Sequence, residues 1–221
     1  MSDKPLSIVV LISGSGSNLQ AIIEALPKQS INAEIKAVIS NKADALGLER
    51  AREAGIDGVF IDHTDFADRL SFDQAMMQEI DKHQPELIIL AGFMRILSDE
   101  FVTHYTGRLI NIHPSLLPNF KGLNTHQRAI EAKHPVHGVS VHYVSNELDG
   151  GPVIAQAEVP VKADDDAETL RLRVLEQEHI IYPQVTKWFA QRRITLKKQS
   201  VFFDQKELIK PILLNSESAP E

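Results

Sequence analysis

Two side chains that can act together on a carbonyl group lie two residues apart at the end of a predicted strand. In the segment Asn111-Ile112-His113-Pro114, one apolar residue separates an amide from an imidazole. Because alternate side chains of an extended strand point the same way, Asn111 and His113 are expected to face one side together. Asn111 donates a hydrogen bond without ionising, and His113 donates a hydrogen bond or a proton. This pair suits a carbonyl oxygen that gains negative charge during a reaction.

A carboxylate in a later loop is the candidate partner of this pair. Asp149 lies in the segment SNELDGGPV, residues 145–153. A carboxylate beside an imidazole stabilises the imidazolium near neutral pH, and a partly buried carboxylate can relay a proton. Taken alone, a strand-end histidine is more often structural, and Asp-Gly more often forms an ordinary turn. The combination of Asn111, His113 and Asp149 favours catalysis over those two structural interpretations.

A glycine-rich turn, SGSGSN at residues 13–18, follows a predicted strand and precedes a predicted helix. Backbone N–H groups at such a helix N-terminus bind anions. A dinucleotide site would need a third glycine, but Leu19 stands there, and the second strand ends without the acidic residue that binds the adenine ribose. The turn therefore predicts a bound phosphate group, with a tight turn in which Ser17 caps the helix as the structural alternative.

Other chemistries fit the sequence poorly. The chain has no cysteine, which excludes disulfides, zinc thiolates and a cysteine nucleophile. His126, His137 and His142 could approach the Asn111–His113 pair, but the histidines lack a recognised metal spacing, so no metal is predicted. Ser140 lacks the G-x-S-x-G context of a hydrolase nucleophile.

The elements that must position these residues alternate between strands and helices. Continuous apolar runs predict buried strands at 6–12, 34–40, 58–61, 86–91 and 108–112. Helical periodicity predicts helices from Leu19 to Leu26, at 43–54 and at 71–83. This alternation indicates an α/β fold with a mostly parallel sheet and flanking helices. Ligands of such sheets bind beyond the carboxyl ends of the strands, where the turn SGSGSN and the segments GFMRIL and NIHPSLLP are expected.

The pattern changes in the second half of the chain. Two β-rich runs, 136–144 and 152–159, predict an antiparallel pair, and a long helix opens at Asp164 to Thr169. Pro183 is expected to kink or interrupt that helix, because proline cannot donate a hydrogen bond to the carbonyl of His179. We predict one domain over residues 1–195 and an extension over 196–221, whose polar end NSESAPE is expected to fray.

Composition narrows the partners. The 221 residues are 43% hydrophobic and 24% charged, which is ordinary for a globular protein, and the net charge is −7. An acidic chain is a poor candidate for binding nucleic acid. No apolar run is long enough for a membrane span or a signal peptide, so a cytoplasmic protein is expected.

Six segments, in this order and spacing, resemble the folate-dependent phosphoribosylglycinamide formyltransferases of purine synthesis. They are LISGSGSNLQAII, SNKADALGLERA, LAGFMRIL, INIHPSLLP, ELDGGPVI and QEHIIYP. The resemblance covers residues 6 to about 190. It implies a single-domain Rossmann-like formyltransferase fold with an antiparallel C-terminal extension. It also implies that 10-formyltetrahydrofolate, as co-substrate, donates its formyl group to the amine of 5-phosphoribosylglycinamide.

The resemblance also implies roles for individual residues. Asn111, His113 and Asp149 match the catalytic trio of the family. The ribonucleotide contacts are expected at Gly16, Ser17, Asn18 and Glu178. The folate contacts are expected at Arg69, Met94, Arg95, Ile96, Leu97, Ser145, Asn146, Glu147, Leu148 and Asp149.

The sequence leaves two positions, Leu175 and Pro118, and several alternative functions undecided. Leu175 stands where a polar phosphate contact is expected from a relative, and the family commonly has a cis proline at the position of Pro118. A formyltetrahydrofolate hydrolase and a methionyl-tRNA formyltransferase share the Asn-x-His and Asp core. They are expected to carry an extra domain before or after the catalytic one, respectively. A non-catalytic ligand-binding module of the same fold is another alternative, and a nucleotide-sugar or NAD enzyme, opposed by the missing third glycine and acidic residue, is the last. The chain is expected to be a monomer or a homodimer.

Overall fold

The computed structural model describes residues 4–214, and its main sheet has eight strands in the order β11-β7-β6-β5-β4-β1-β2-β3. Strands β1 to β5 run parallel, β6 is antiparallel to β5, and β7 is antiparallel to β6. The parallel strands are β1 (Leu6–Ile12), β2 (Ala33–Ser40), β3 (Asp57–Phe60), β4 (Leu87–Leu90) and β5 (Leu109–His113). The next two are β6 (Val136–Tyr143) and β7 (Val153–Pro160). The mostly parallel α/β sheet predicted from the sequence is confirmed.

Helices cover both faces of this sheet. They are α1 (Ser17–Lys28), α2 (Leu46–Glu53), α3 (Arg69–Lys82), α4 (Asp99–His104), α5 (Thr125–Glu131) and α6 (Ala167–Ala190), with a 3₁₀ turn at His63–Asp65. Side chains of β1 alternate between the two faces. Val10 packs in the core beneath α1 and α6, and Leu11 packs in the core beneath α3 and α4. The alternation explains why the whole strand is apolar.

The order of the strands defines where a ligand fits. Successive parallel strands run outward from β1 to β3 on one side, whereas β4 and β5 lie on the other side of β1. The chain thus changes direction between β1 and β4, and the loops that follow these two strands leave a crevice at their carboxyl ends. The glycine-rich turn and the segment GFMRIL both border this crevice.

The long helix α6 contradicts one of the two outcomes expected at Pro183, an interruption; whether proline kinks the helix stays a prediction. The helix is continuous from Ala167 to Ala190 with Pro183 inside it, so it is not interrupted. Pro183 and its neighbours Ile181, Tyr182 and Val185 are buried, and the Tyr182 hydroxyl donates to the carbonyl of Leu90 at 2.8 Å. Burial of this face outweighs the one backbone hydrogen bond that proline removes.

The start of two predicted helices shifts by two or three residues. Helix α2 begins at Leu46 and not at Ala43, and α3 begins at Arg69 because Asp68 and Ser71 form a capping box before the predicted start. Helices α4 and α5 are short and were not predicted. Their six and seven residues are too few for a clear helical period.

The C-terminal segment contributes to two sheets. Strands β8 (Ile194–Lys197), β9 (Ser200–Phe203) and β10 (Lys206–Glu207) form a small antiparallel sheet. Strand β11 (Ile212–Leu213) then joins the main sheet parallel to β7. The proposed boundary at 195/196 falls inside β8, and NSESAPE lies outside the described residues. No helix between residues 4 and 214 is long and apolar enough to cross a membrane.

Close contact between two glycines fixes the turn after β1 against α2. A Cβ atom on Gly47 would lie 2.4 Å from Cδ1 of Ile12 and 3.2 Å from Cα of Gly16. Alanine normally stabilises a helix by about 1 kcal/mol relative to glycine. At Gly47 the collision should reverse this sign, so Gly47→Ala should lower the free energy of unfolding by about 1–3 kcal/mol.

Urea unfolding of Gly47→Ala and Gly58→Ala provides the test. A Cβ on Gly58 meets its nearest atom, Cδ2 of Leu48, at an ordinary 3.4 Å. The control should therefore be nearly neutral. Equal stability of Gly47→Ala and the parent chain would contradict the close packing of this turn.

Candidate functional site

The turn between β1 and α1 is built to expose backbone N–H groups. Gly16 is the N-cap residue of α1 with φ of 69°, a conformation that glycine adopts without strain. No side chain caps this helix, which corrects the alternative in which Ser17 is the cap. The Gly47 N–H donates to the Gly14 carbonyl at 3.1 Å, and Arg50 Nε donates to the Ser15 carbonyl at 2.9 Å. The turn is held from behind, and the first amides of α1 are free of a side-chain cap.

A buried serine joins three strand ends at this crevice. The Ser13 hydroxyl donates to Oδ1 of Asn41 at 2.6 Å and accepts from the Met94 N–H at 2.9 Å. The Ser13 N–H donates to the Gly92 carbonyl at 3.2 Å. The residues that follow β1, β2 and β4 are therefore fixed relative to one another.

Helix α6 reaches the same turn through one carboxyl group. Asn18 donates from Nδ2 to Oε2 of Glu178 at 2.7 Å, although 160 positions separate the two residues in sequence. Burial raises the pKa of Glu178, and the hydrogen bond from Asn18 opposes that rise. The structure thus brings together Gly16, Ser17, Asn18 and Glu178, the four residues expected to bind the ribonucleotide.

His113 and Asp149 meet at the other side of the crevice. Nδ1 of His113 lies 3.4 Å from Oδ2 of Asp149, and only 8% of each side chain is exposed. The same carboxylate oxygen accepts a hydrogen bond from the Gly122 N–H at 2.9 Å. Nε2 of His113 lies 3.0 Å from the Phe120 carbonyl. Both ring nitrogens of His113 therefore face acceptors, which fixes the orientation of the imidazole.

His142 connects Asn111 to this pair. It lies opposite Asn111 in the β5–β6 ladder, and its Nε2 is 3.4 Å from Nδ2 of Asn111 and 3.9 Å from Oδ1 of Asp149. Nδ1 of His142 lies 2.8 Å from the Tyr143 carbonyl, which can only accept, so this nitrogen carries the proton. Burial lowers the pKa of His142 to about 4. Neutral His142 therefore accepts from Asn111 and orients its amide.

His142 was expected from the sequence to be able to approach the Asn111–His113 pair, but it was given no part in the catalytic group. The missing information was the register of β5 against β6, because only the pairing of Asn111 with His142 brings their side chains together. An antiparallel register is set by turns and packing that spacing alone does not reveal.

Ser140 stabilises the turn after His113 and is fully buried. Its hydroxyl donates to the Ser115 carbonyl at 2.7 Å and accepts from the Leu117 N–H at 3.0 Å. The Leu117–Pro118 peptide bond is cis, as the resemblance suggested. A buried hydroxyl that is committed at both ends cannot serve as a nucleophile, which agrees with the rejection of a serine hydrolase.

The segments expected to bind folate lie beside the same crevice. Met94, Ile96 and Leu148 are exposed apolar side chains, at 74%, 64% and 57% of their full surface. We refer to these three exposed side chains as the apolar strip. Leu97, after β4, and Val144, after β6, both pack against the core cluster beneath α3 and α4. In that loop the Ser145 hydroxyl donates to the Glu147 carbonyl at 3.2 Å. Asn146 is exposed.

Two arginines were also expected to bind folate. The guanidinium of Arg95 lies over the Phe72 ring, 5.1 Å from its centroid, and Arg69 is the first residue of α3. Burial raises the pKa of Asp73, and the Ser98 N–H opposes that rise, with smaller contributions from the charges of Arg69 and Arg95. Both arginines are therefore close to the same carboxyl group on α3.

Two further histidines pack behind the site. The ring centroids of His126 and His137 are 5.1 Å apart, and burial lowers the pKa of each to about 4. Within the described range, no group of three or more His, Cys, Asp or Glu side chains is arranged to hold a metal ion.

Comparisons with known proteins identify the class. The sequence model of the formyl transferase family matches residues 6–186, and this chain belongs to that family. Its carboxyl-end crevice carries the His–Asp pair and the glycine-rich turn on one scaffold. The resemblance seen in the motifs is confirmed at the level of the family.

Particular relatives are formyltransferases of one kind. The chain is 53% identical over 203 residues to the phosphoribosylglycinamide formyltransferase of Escherichia coli, covering 92% of this chain and 96% of the relative. The corresponding protein of Haemophilus influenzae is 47% identical with the same coverage. The solved structure of the phosphoribosylglycinamide formyltransferase from Coxiella burnetii superimposes with a TM-score of 0.92 at 52% identity, covering 96% of this chain and 100% of that one.

Acid should destabilise the fold by protonating the buried histidines His126 and His137. Because the pKa of His137 is about 4 in the folded chain, against 6.5 for the free side chain, the unfolded chain binds more protons between these values. Stability is therefore lost as the pH falls from 6.5 towards 4. His137→Phe should flatten this dependence by up to about 1.4 kcal/mol per pH unit.

Free energies of unfolding measured in urea across this pH range test the expectation. Phe120→Leu is the matched control, since it removes a ring 5.9 Å from His137 without removing a titratable group. An unchanged slope in His137→Phe would contradict the lowered pKa.

Proposed function

We propose that this protein transfers the formyl group of 10-formyltetrahydrofolate to the amine of 5-phosphoribosylglycinamide in purine biosynthesis. The observation that carries the proposal is the His113–Asp149 pair, which lies near Asn111 at the edge of the crevice. The glycine-rich turn lies on the opposite side of this crevice. Formyltransferases with this acceptor are the relatives found over nearly the whole chain. An acyl transfer between two small molecules fits this arrangement, because each side of the crevice offers a different type of contact.

The ribonucleotide is assigned to the α1 side. Its phosphate accepts hydrogen bonds from the backbone N–H groups of Gly16, Ser17 and Asn18, where the helix dipole favours an anion. Glu178 is bonded to Asn18 and binds the sugar hydroxyls, which donate to its carboxyl group. In this position the glycinamide amine extends towards His113.

The folate is assigned to the exposed apolar strip. Its flat pterin packs on Met94, Ile96 and Leu97 and against the loop Ser145 to Leu148, where few polar contacts are needed. Glu147 is paired with Lys121, whose Nζ lies 2.7 Å from Oε1, so the loop after β6 is tied to the segment that follows His113. Arg69 and Arg95 lie at the far end and suit the carboxylates of the folate tail.

The chemical step is a direct attack. The neutral amine forms a bond to the formyl carbon, and the carbonyl oxygen becomes an oxyanion that accepts hydrogen bonds from Asn111 and His113. The formyl oxygen takes the place of the Phe120 carbonyl as acceptor for His113. Asp149 orients the imidazole, because its Oδ2 lies 3.4 Å from Nδ1 of His113.

Collapse of the intermediate breaks the bond between the formyl carbon and the folate nitrogen. The amine loses a proton and the departing nitrogen gains one, with Asp149 or a water held by it carrying the proton between them. His142 does not exchange protons in this scheme, since it is neutral and holds Asn111.

An acceptor-dependence assay tests the proposed function. Purified protein is mixed with 10-formyltetrahydrofolate, and loss of the formylated folate is followed with and without 5-phosphoribosylglycinamide. Turnover that requires the ribonucleotide supports the transferase. Equal turnover without it would indicate a formyltetrahydrofolate hydrolase, and no turnover with either mixture would refute both activities.

Loss of either member of the pair should abolish most of the rate. His113→Ala and Asp149→Asn should each lower kcat by about 10²–10³-fold, the usual cost of removing an oxyanion donor or its support. His104→Ala is the matched control, because this histidine pairs with Asp81 on the surface away from the crevice.

Circular dichroism should show that all three variants are folded. A His113→Ala variant with turnover near that of the parent chain would contradict the role assigned to this residue.

A further inference from the structure

The glycine-rich turn at residues 13–18 contains no basic side chain. Its sequence, SGSGSN, offers only backbone donors and hydroxyl or amide groups, whereas a phosphate monoester carries close to two negative charges at neutral pH. Arg50 lies behind the turn, but its Nε donates to the Ser15 carbonyl and its Nη1 to Gln20. Two of the three nitrogens of the Arg50 guanidinium are therefore engaged in holding the turn.

Helix α6 supplies another guanidinium on the side that faces the turn. Arg171 precedes Glu178 by seven residues, about two helical turns, so the two side chains project from the same side of α6 about 10 Å apart along its axis. Glu178 is itself bonded to Asn18 of the turn at 2.7 Å. The half-buried Leu175 lies one turn after Arg171 and offers no polar group.

The charge of Arg171 affects the pKa values of two neighbouring groups, Glu178 and His126. Burial raises the pKa of Glu178, and after the hydrogen bond from Asn18 the charge of Arg171 is what opposes this rise. Burial also lowers the pKa of His126, and Arg171 is the largest charge contribution in the same direction. The guanidinium thus lies within electrostatic range of both Glu178 and His126.

The present partner of Arg171 is weakly held. Its Nε and Nη2 donate to the two carboxylate oxygens of Glu168, each at 2.7 Å. This pair is exposed to solvent, with 44% of the arginine and 63% of the glutamate side chain accessible. Exposed ion pairs contribute little to stability, so exchange of the carboxylate for another planar or tetrahedral anion costs little.

We propose that Arg171 is a binding residue for the phosphoribosyl group, exchanging Glu168 for phosphate oxygens when the ribonucleotide enters. This inference rests on the proposed function and deepens it, because it assigns the cation that pairs with the phosphate in a chain that has leucine at position 175. The guanidinium forms two parallel hydrogen bonds to phosphate, which lysine cannot reproduce. Arg171 acts in binding and has no part in the chemical step.

Substrate kinetics of Arg171→Ala provide the first test. The KM for 5-phosphoribosylglycinamide should rise about 10-fold or more, whereas kcat and the KM for 10-formyltetrahydrofolate should stay within about twofold. The KM of Arg171→Lys for 5-phosphoribosylglycinamide should lie between those of Arg171→Ala and the parent chain. The control is Arg173→Ala, which removes the same charge from α6 but from a side chain paired with Asp165 and the Pro160 carbonyl.

Binding of ribose 5-phosphate, measured by calorimetry, provides the second test and needs no turnover. Arg171→Ala should bind it about 10-fold or more weakly than the parent chain, and Arg173→Ala should match the parent. Unchanged binding in Arg171→Ala, or an equal loss in both variants, would overturn the inference while leaving formyl transfer by the parent chain intact. Failure of the proposed function would instead show as absent transfer in the parent chain.

Discussion

The candidate site depends on the contacts that the carboxylate of Asp149 makes with the groups around it. One of its oxygens faces His113 at 3.4 Å and accepts from the Gly122 N–H at 2.9 Å, and the other lies 3.9 Å from His142. Burial of a polar group is costly unless hydrogen-bond partners such as these satisfy it. The loop that carries Asp149 can approach only because residue 151 is glycine, where a Cβ would lie 1.8 Å from the Tyr143 carbonyl. One loop thereby fixes the imidazole, the segment after it and the neighbouring histidine.

The sheet explains why this carboxylate and the glycine-rich turn lie at the same edge of the fold. Strands β1 and β4 are neighbours at the point where the strand order reverses, and the Ser13 hydroxyl ties the segments after them together. The antiparallel strands β6 and β7 then return the chain to the β5 side, so that the loop between them ends beside His113. This arrangement is consistent with the proposed transfer, which requires two substrates to be positioned against each other.

Much of this arrangement was predictable from the sequence. Continuous apolar strands predicted the parallel sheet, and the two-residue spacing of Asn111 and His113 predicted their shared direction. The role of His142 in orienting Asn111 was not predictable, because it depends on a cross-strand register, and neither was the Asn18–Glu178 bond, because it depends on how α1 packs against α6. Pro183 was expected to kink or interrupt α6, and the interruption did not occur because burial of the surrounding side chains outweighed a local backbone rule.

A double-mutant cycle on formyl transfer tests the central claim, that His113 and Asp149 act as one unit. The kcat of the parent chain is compared with those of His113→Ala, Asp149→Asn and the double variant, at saturating concentrations of both substrates. The account predicts that the double variant is only slightly slower than the slower single variant, because the second change removes a partner whose function is already lost. A double variant whose loss equals the product of the two single losses would show that the residues act independently and would contradict the account.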